Sequence, residues 1–227
     1  ELPRAQDMFS TDPAKIQAAF QGVGASVRSG DKIEEMYDEP LINSVWGQNI
    51  AAAEKYNEPG VFTTFSAYEF TSVTTEDGEG GFGGGNLHRN VFFRGEAPDR
   101  AFSTLDSTNP EDLWDWMDAQ RADGRESIAI PHNSNVYNGD PLDAAYADQR
   151  NRNEPLVEVT QVKGTSETHP DLSPNDEWAN FEIYDELLAS NIVSKTKGSY
   201  VREAYQNGLK LQEEQGFDPF RFGMTAA

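Results

Sequence analysis

The sequence predicts an α/β fold with a largely parallel sheet, in a single domain over residues 1–227 that begins with a helical and loop portion at 1–40. Short segments rich in β-branched and aromatic residues alternate with segments of helical apolar spacing, which is the order expected of an α/β protein. Aromatic residues make up 11% of the chain, which argues against disorder because large rings can form a core. No internal repeat or linker divides the 227 residues.

Helices are predicted in the first quarter of the chain. Asp12 and Pro13 are the residue types preferred at a helix N-cap and at the first helical position. Gly22 and Gly24 are expected to end that helix. A second helix is predicted over residues 41–56, because apolar residues form one stripe there and a Pro-Gly turn follows.

Strands and helices then alternate to the end of the chain. The strand segments are short and rich in Val, Ile, Phe and Thr, and the helical segment at 109–124 begins with Asn-Pro and ends at a Gly. Strands are predicted over residues 61–70, 88–94, 127–131 and 155–162, and helices over 109–124, 143–152, 175–190 and 200–215. A glycine-rich flexible loop is predicted at 77–85.

The charge excludes some classes of partner. Lys and Arg number 18 against 39 Asp and Glu, which gives a net charge of −21. Binding to nucleic acid or to anionic lipid needs clustered cations, so neither partner is expected. The mean hydropathy is −0.69, and no apolar run is long enough for a membrane-spanning helix. Because the chain has no Cys, disulfides, thiolate nucleophiles and Cys-based zinc sites are excluded.

Histidine placement is the main chemical signal. The three histidines, His88, His132 and His169, all lie beside strand-like segments, and Glu69 lies near the end of another strand. A buried-strand carboxylate needs a partner, which for Glu69 is either a metal cation or an arginine such as Arg89. Imidazoles and carboxylates that converge on one point suit Zn, Mn or Fe. A hydrogen-bonded core histidine is the alternative for each of the three.

Familiar compact motifs are absent. The sequence has no HExxH, no GxGxxG in a strand–turn–helix setting, no GK[ST] and no GxSxG. It therefore predicts neither a dinucleotide site nor a P-loop, and it gives no nucleophile elbow.

Five sequence blocks resemble a known bacterial family. They read AYEFTS, NLHRNV, IPHNSN, RNEPLVEV and GTSETHP, at residues 67–72, 86–91, 130–135, 152–159 and 164–170. In this order they resemble the DUF3604 family of unknown function, which is similar to the polymerase-and-histidinol-phosphatase (PHP) superfamily of metal-dependent hydrolases.

The resemblance implies an incomplete, distorted TIM-like (β/α) barrel of PHP type that carries divalent metals (Zn, Mn or Fe) and hydrolyses a small-molecule phosphoester. Glu69 resembles the bridging carboxylate, and His88 and His132 resemble metal ligands. The block with Glu158 resembles the strand that follows, and no ligand role is assigned to that Glu.

Other residues receive roles near the substrate or as hydrogen-bond partners of the ligands. Glu167 and His169 belong to a block specific to the family, and the resemblance places them in this group. Arg89 and Lys163 are cations that could stabilise oxyanion charge. Asn133 either contacts substrate or caps the next segment.

The chain also departs from the superfamily pattern. It has no HxH pair, and it stops where an Asp-x-His pair would follow. It therefore resembles an internal fragment of a hydrolase, from which little turnover is expected. The alternative is a non-catalytic module that binds a cation or forms a homo-oligomer through open sheet edges. The sequence does not fix the location, although the resemblance favours an exported, periplasmic protein.

Overall fold

The fold is seen in a computed structural model that describes residues 3–74, 85–134, 142–183 and 193–226. The helices are α1 (Pro3–Met8), α2 (Pro13–Ser29), α3 (Glu39–Tyr56), α4 (Pro110–Ala122), α5 (Ala144–Asn153) and α6 (Val201–Gln215), with a 3-10 turn at Glu34–Met36. The strands are β1 (Ser66–Phe70), β2 (Val73–Thr74), β3 (Gly85–Asn86), β4 (Arg89–Arg94), β5 (Glu126–Pro131), β6 (Leu156–Gln161), β7 (Gly164–Thr165) and β8 (Gly223–Ala226).

The strands form small, mostly antiparallel sheets. The first sheet has the order β1-β4-β5 and both of its pairings are antiparallel. The second has the order β7-β6-β8, in which β6 runs antiparallel to β7 and parallel to β8. β2 and β3 form a separate antiparallel pair. The α/β class is thus confirmed, but the largely parallel sheet and the incomplete TIM-like barrel of PHP type are wrong, since the described residues close no barrel.

The connections explain the antiparallel pairing. An antiparallel neighbour needs only a connection that returns to the same end of the sheet, whereas a parallel neighbour needs a crossover to the opposite end. The described residues between β1 and β4 include the β2–β3 pair, which turns the chain back. Between β4 and β5 the chain passes through α4, yet it returns to the end where β4 stops, because Arg94 pairs with Glu126. Alternation of element types therefore does not determine strand direction.

The strand predicted over 61–70 begins only at Ser66, and the predicted helices agree with the structure with two exceptions. Helix α2 begins after the predicted Asp12 cap, whose side chain accepts a hydrogen bond from the Ala14 N–H. It continues past Gly22 and Gly24 and ends at Gly30, which has φ 73°. A glycine costs a helix only about 1 kcal/mol, so packing can carry the helix through both.

The second exception is the helix predicted over residues 175–190. Residues 175–183 form successive turns instead, and residues 184–192 lie outside the described part of the chain. The glycine-rich loop predicted at 77–85 also lies outside the described residues, except for its last one. Among the helices that the structure describes, none is both long and apolar enough to cross a bilayer.

The main core lies on one face of the β1-β4-β5 sheet, against α3 and α4. It consists of Trp46, Phe70, Val91, Phe93, Ala97, Leu113, Trp114, Met117 and Ala129. The Trp46 indole N–H, which would otherwise be buried without a partner, donates to the Pro98 carbonyl oxygen at 2.7 Å. A second cluster, which includes Val157, Val201 and Phe220, joins β6 to α6. Since alternate strand residues point to opposite faces, the other face of the first sheet carries Glu69 and Asn90 at one end, next to the apolar residues Phe92, Ile128 and Ile130.

Candidate metal centre

Three strand ends meet at one edge of the first sheet. Glu69 is the penultimate residue of β1, His88 immediately precedes β4, and His132 immediately follows β5. Because β4 runs opposite to its two neighbours, its beginning lies beside their ends. The His132 backbone N–H donates to the His88 carbonyl oxygen at 3.1 Å. Backbone pairing thus brings together residues that are far apart in sequence.

The three side chains share the face of the sheet opposite the core. Glu69 pairs with Asn90 across the sheet, and Asn90 pairs with Ile130. His88 and His132 lie two positions from Asn90 and Ile130 respectively, so all five residues belong to one face. Strand alternation therefore explains why the chain can place an acid and two imidazoles on this side.

The ligand atoms lie within coordination reach of one point. The Glu69 Oε1 atom is 2.8 Å from His88 Nδ1 and 3.7 Å from His132 Nε2. One donor atom from each of the three residues lies within 4.8 Å of the others. The side chains that the sequence analysis selected as metal ligands are thus brought together, and we call them the Glu69 cluster.

A buried carboxylate orients His132. The Glu158 side chain, which is 5% exposed, places Oε2 2.5 Å from His132 Nδ1. The Asn90 amide donates to Glu158 Oε1 at 3.3 Å. A carboxylate at Nδ1 keeps the proton on that nitrogen, which leaves the Nε2 lone pair free to bind a metal on the Glu69 side.

Glu158 and Asn90 were not among the predicted site residues. Glu158 carried a usable signal, since a carboxylate inside the apolar strand β6 (Leu156–Gln161) must have a partner. Asn90 carried no such signal, because its role depends on the pairing register.

The pKa shifts of Glu69 and His88 suit ligation, whereas the raised pKa of His132 favours its charged form. The neighbouring imidazoles of His132 and His88 lower the pKa of Glu69 well below its usual range. Burial lowers the pKa of His88, although Glu69 opposes this effect. Burial also acts to lower the pKa of His132, but hydrogen bonds with Glu158 and Glu69 outweigh it and raise the value. An ionised carboxylate and a His88 that favours its neutral form are the states that bind a metal.

Two further predicted residues lie at or beside the cluster. Lys163 follows β6, is half-buried, and lies close enough to interact electrostatically with Glu69 and Glu158. Burial lowers the pKa of its ammonium, whereas those two carboxylates oppose the shift. Asn133 is buried directly after His132. The cluster therefore has one cationic neighbour from the predicted set.

Arg89 lies on the opposite side of the sheet. It is fully buried and ion-paired with Glu154, which also accepts a hydrogen bond from Trp114 Nε1 at 3.0 Å. Arg150 Nε lies 3.3 Å from the other oxygen of Glu154. Since Arg89 follows His88 in an extended segment, its side chain points to the core face. In this position it packs on the core side of the sheet and does not contact the Glu69 cluster.

Glu167 and His169 have their contacts elsewhere. Glu167 forms an ion pair with Arg202. His169 Nδ1 accepts a hydrogen bond from the Asp171 N–H at 3.2 Å, and its ring centroid lies 5.6 Å from that of Tyr200. The link to the cluster is indirect, because Ser166, next to Glu167, donates its hydroxyl to the His132 carbonyl oxygen at 2.8 Å.

The donor set fits a divalent cation. Ligand atoms around a tetrahedral zinc ion are separated by roughly 3.3 Å, and the distances in the cluster, from 2.8 Å to less than 4.8 Å, bracket this value. One carboxylate with two imidazoles is also the set found at catalytic zinc sites with an open position.

Comparison with known proteins gives one match. The model of a family described as "Protein of unknown function (DUF3604)" matches residues 3–227. No curated protein and no solved structure matches the chain.

Proposed function

The chain belongs to the DUF3604 family. On that premise we propose that it forms the metal-binding part of a metal-dependent hydrolase that acts on small-molecule phosphoesters. The observation that carries this proposal is the Glu69 cluster, in which one carboxylate oxygen lies near two imidazole nitrogens. The reaction class is taken from the PHP superfamily that the DUF3604 family resembles, because those hydrolases act on phosphoesters with histidine and carboxylate ligands.

Glu69, His88 and His132 would hold the ion, which we propose to be Zn, Mn or Fe because these metals accept mixed nitrogen and oxygen ligands. When bound, such an ion supplies a Lewis acid that polarises a phosphoryl oxygen and acidifies water. The side chain of Glu69 is 42% exposed, whereas that of His132 is 10% exposed. The cluster is therefore open on the Glu69 side, where a substrate can approach.

The protein's own groups prepare the site in two ways. Glu158 holds the Nδ1 proton of His132, so that Nε2 stays directed towards Glu69. Lys163 places an ammonium group near Glu69 and Glu158, where it can bind a phosphate oxygen and stabilise charge that develops on it. Positioning and charge stabilisation are the main contributions a protein makes to phosphoryl transfer.

The test is a measurement of metal content together with hydrolysis of a chromogenic phosphodiester. We expect one equivalent of metal and slow but measurable turnover, both lost in His132→Ala. His169→Ala is the matched control for metal content, because His169 contacts Asp171 and Tyr200 and not the cluster. If His132→Ala retains both metal and turnover, the proposal is wrong.

The second candidate is a module that binds a cation without turnover and self-associates. It is favoured by the number of ligands, since the part of the chain that the structure describes contains a single group of three metal-binding side chains. Phe65, which immediately precedes the edge strand β1, is 53% exposed and gives an open sheet edge a surface for self-association. Tight, His132-dependent metal binding without hydrolysis, together with a dimer in sedimentation velocity, would favour this candidate over the hydrolase.

A further inference from the structure

A small pocket lies apart from the Glu69 cluster, between the segment after β6 and the start of α6. It has a volume of about 280 Å³, and its walls include Glu167, Asp176, Trp178, Phe181 and Arg202. None of these residues contributes to the Glu69 cluster. The pocket combines flat aromatic surfaces with charged hydrogen-bonding groups, which is the composition of a ligand site rather than of a core.

The aromatic side chains of this pocket are unusually exposed. Trp178 is 71% exposed and Phe181 is 61% exposed, although tryptophan is on average among the well-buried residues. Both belong to residues 175–183, which form turns and not a helix. Exposed rings on a loop, beside a concavity, commonly mark a binding surface.

The polar groups of the pocket hold each other in place. Arg202 donates to Asp176 Oδ2 at 2.6 Å and also pairs with Glu167. The Trp178 backbone N–H donates to Asp176 Oδ1 at 3.0 Å. Each carboxylate oxygen has more than one lone pair, so these groups can still accept hydrogen bonds from hydroxyl groups without moving.

The charges select the kind of ligand. Two carboxylates face one guanidinium, so the pocket carries a net negative charge that disfavours anions. A cationic ligand would have to compete with Arg202, which already pairs with both carboxylates. A neutral ring with several hydroxyl groups and an apolar C–H face matches both the polar groups and the aromatic surfaces.

We propose that this pocket is a binding site for one ring of a neutral saccharide. The site is independent of the proposed hydrolase activity, since it needs neither a metal nor Glu69. It is nevertheless linked to the cluster by a hydrogen bond, because Thr165 and Glu167 line the pocket while Ser166 between them bonds to the His132 carbonyl oxygen.

The test is a titration of the 227-residue chain with methyl glycosides of neutral hexoses, in the presence of EDTA, followed by tryptophan fluorescence and by ligand-observed NMR. We expect saturable, millimolar binding. Trp178→Ala and Phe181→Ala should each weaken it about tenfold, because each removes one stacking surface. Phe62→Ala is the matched control, since Phe62 is also 61% exposed and lies outside the pocket. Circular dichroism checks that the variants fold.

Two charged probes complete the experiment. Choline and glucuronate are expected to bind more weakly than the neutral glycosides. The proposal is overturned if no glycoside binds, if choline or glucuronate binds more tightly, or if the Trp178 and Phe181 variants bind as well as Phe62→Ala. If the chain binds glycosides but does not hydrolyse phosphodiesters, only the proposed hydrolase activity is contradicted.

Discussion

At the scale of single residues, His132 is the best-defined member of the Glu69 cluster, because both of its ring nitrogens face a carboxylate. Nδ1 lies 2.5 Å from Glu158 and Nε2 lies 3.7 Å from Glu69. Its carbonyl oxygen accepts hydrogen bonds from Gln161 at 3.2 Å and from Ser166 at 2.8 Å. The ring and the backbone of this residue are thus both held in place before any ion binds, which is the arrangement that gives a metal site its affinity.

The first prediction concerns Glu158→Gln. The amide keeps the size of the side chain but removes the negative charge at His132 Nδ1, and it allows the ring to adopt the other tautomer. We expect Zn or Mn to bind about 10- to 100-fold more weakly, which is the usual effect of losing the partner of a ligating histidine. Chelator-competition titrations measure this directly.

Glu126→Gln is the control for this prediction. Glu126 is also a strand glutamate, but it is exposed and pairs with Arg94 at the end of the first sheet that lies away from the Glu69 cluster. The control should bind metal like the wild type. Equal affinities in all three proteins would show that Glu158 does not orient the ligand.

The same residues show what the sequence could and could not predict at the site. Glu69, His88 and His132 could be selected because a carboxylate or imidazole beside an apolar strand is uncommon and needs a partner. Arg89 is predicted at the same site as a cation, but it adjoins His88, and neighbouring residues of a strand face opposite sides. Asn90 could not be selected, since its contact with Glu158 depends on the relative placement of separate strands.

At the scale of elements, strand positions were predictable and strand directions were not. The apolar, β-branched segments that form β4, β5 and β6 can be recognised as strands from their local sequence. Direction depends on where each connection returns, and a helix between two strands permits either outcome. β4 and β5 are antiparallel although α4 lies between them. The antiparallel direction of β4 brings His88, at the beginning of its strand, beside Glu69 and His132, at the ends of theirs.

Helix α6 provides the second prediction, because it contains a glycine in a crowded position. A Cβ at Gly208 would lie only 2.8 Å from Asp218 Cγ, and Asp218 accepts a hydrogen bond from the buried Phe220 N–H at 2.8 Å. Gly208→Ala should therefore lower the free energy of unfolding by about 1–2 kcal/mol, because the clash outweighs a gain in helix propensity of about 1 kcal/mol. Urea denaturation measures the change.

Gly47→Ala in α3 is the matched substitution. A Cβ at Gly47 has nothing within 4 Å, so only the backbone propensity changes. This variant should be more stable than the wild type by about 0.5–1 kcal/mol. If both alanines stabilise the protein, Asp218 does not occupy the space beside Gly208 in solution.

The contact between α4 and α5 yields the third prediction, which concerns pH. Burial acts to raise the pKa of Asp118, but hydrogen bonds from Arg152 and Asn153 outweigh it and lower the pKa from 3.8 to about 2. A carboxyl group whose pKa is lowered on folding stabilises the native state above its unfolded pKa and loses this effect as the pH falls through the folded value. Asp118→Asn should thus cost about 1 kcal/mol at neutral pH.

The stability difference between the wild type and Asp118→Asn should shrink between pH of about 4 and about 2. Chemical denaturation of both proteins over this range gives the difference. Asp115→Asn serves as the comparison, because Asp115 lies on the same helix and accepts a single described hydrogen bond, from Gln149 at 2.7 Å. A constant difference across the acid range would mean that the Asp118 pairs do not form.

At the scale of the whole molecule, charge is the dominant property that the sequence alone supplies. A net charge of −21 on 227 residues opposes the compact state through self-repulsion. Part of the cationic charge is also unavailable to balance the surface, because Arg89 and Arg150 are buried beside Glu154. The acidic surface continues to predict that nucleic acid and anionic membranes are not partners.

The last prediction follows from this repulsion. Between about 0.01 M and 0.15 M salt the Debye length falls from about 30 Å to about 8 Å, so repulsion across the surface is largely screened. The buried ion pair of Arg89 with Glu154 keeps its strength, and exposed pairs such as Arg94 with Glu126 contribute little at any salt concentration. We therefore expect the thermal midpoint to rise by about 2–4 °C, which corresponds to about 1 kcal/mol for a protein of this size.

NaCl and KCl, each with EDTA present, should give equal shifts in calorimetry because screening depends on ionic strength and not on ion identity. A shift with only one of the two salts would point to specific ion binding, and a midpoint that falls with salt would show that attractive surface pairs outweigh the excess of acidic residues.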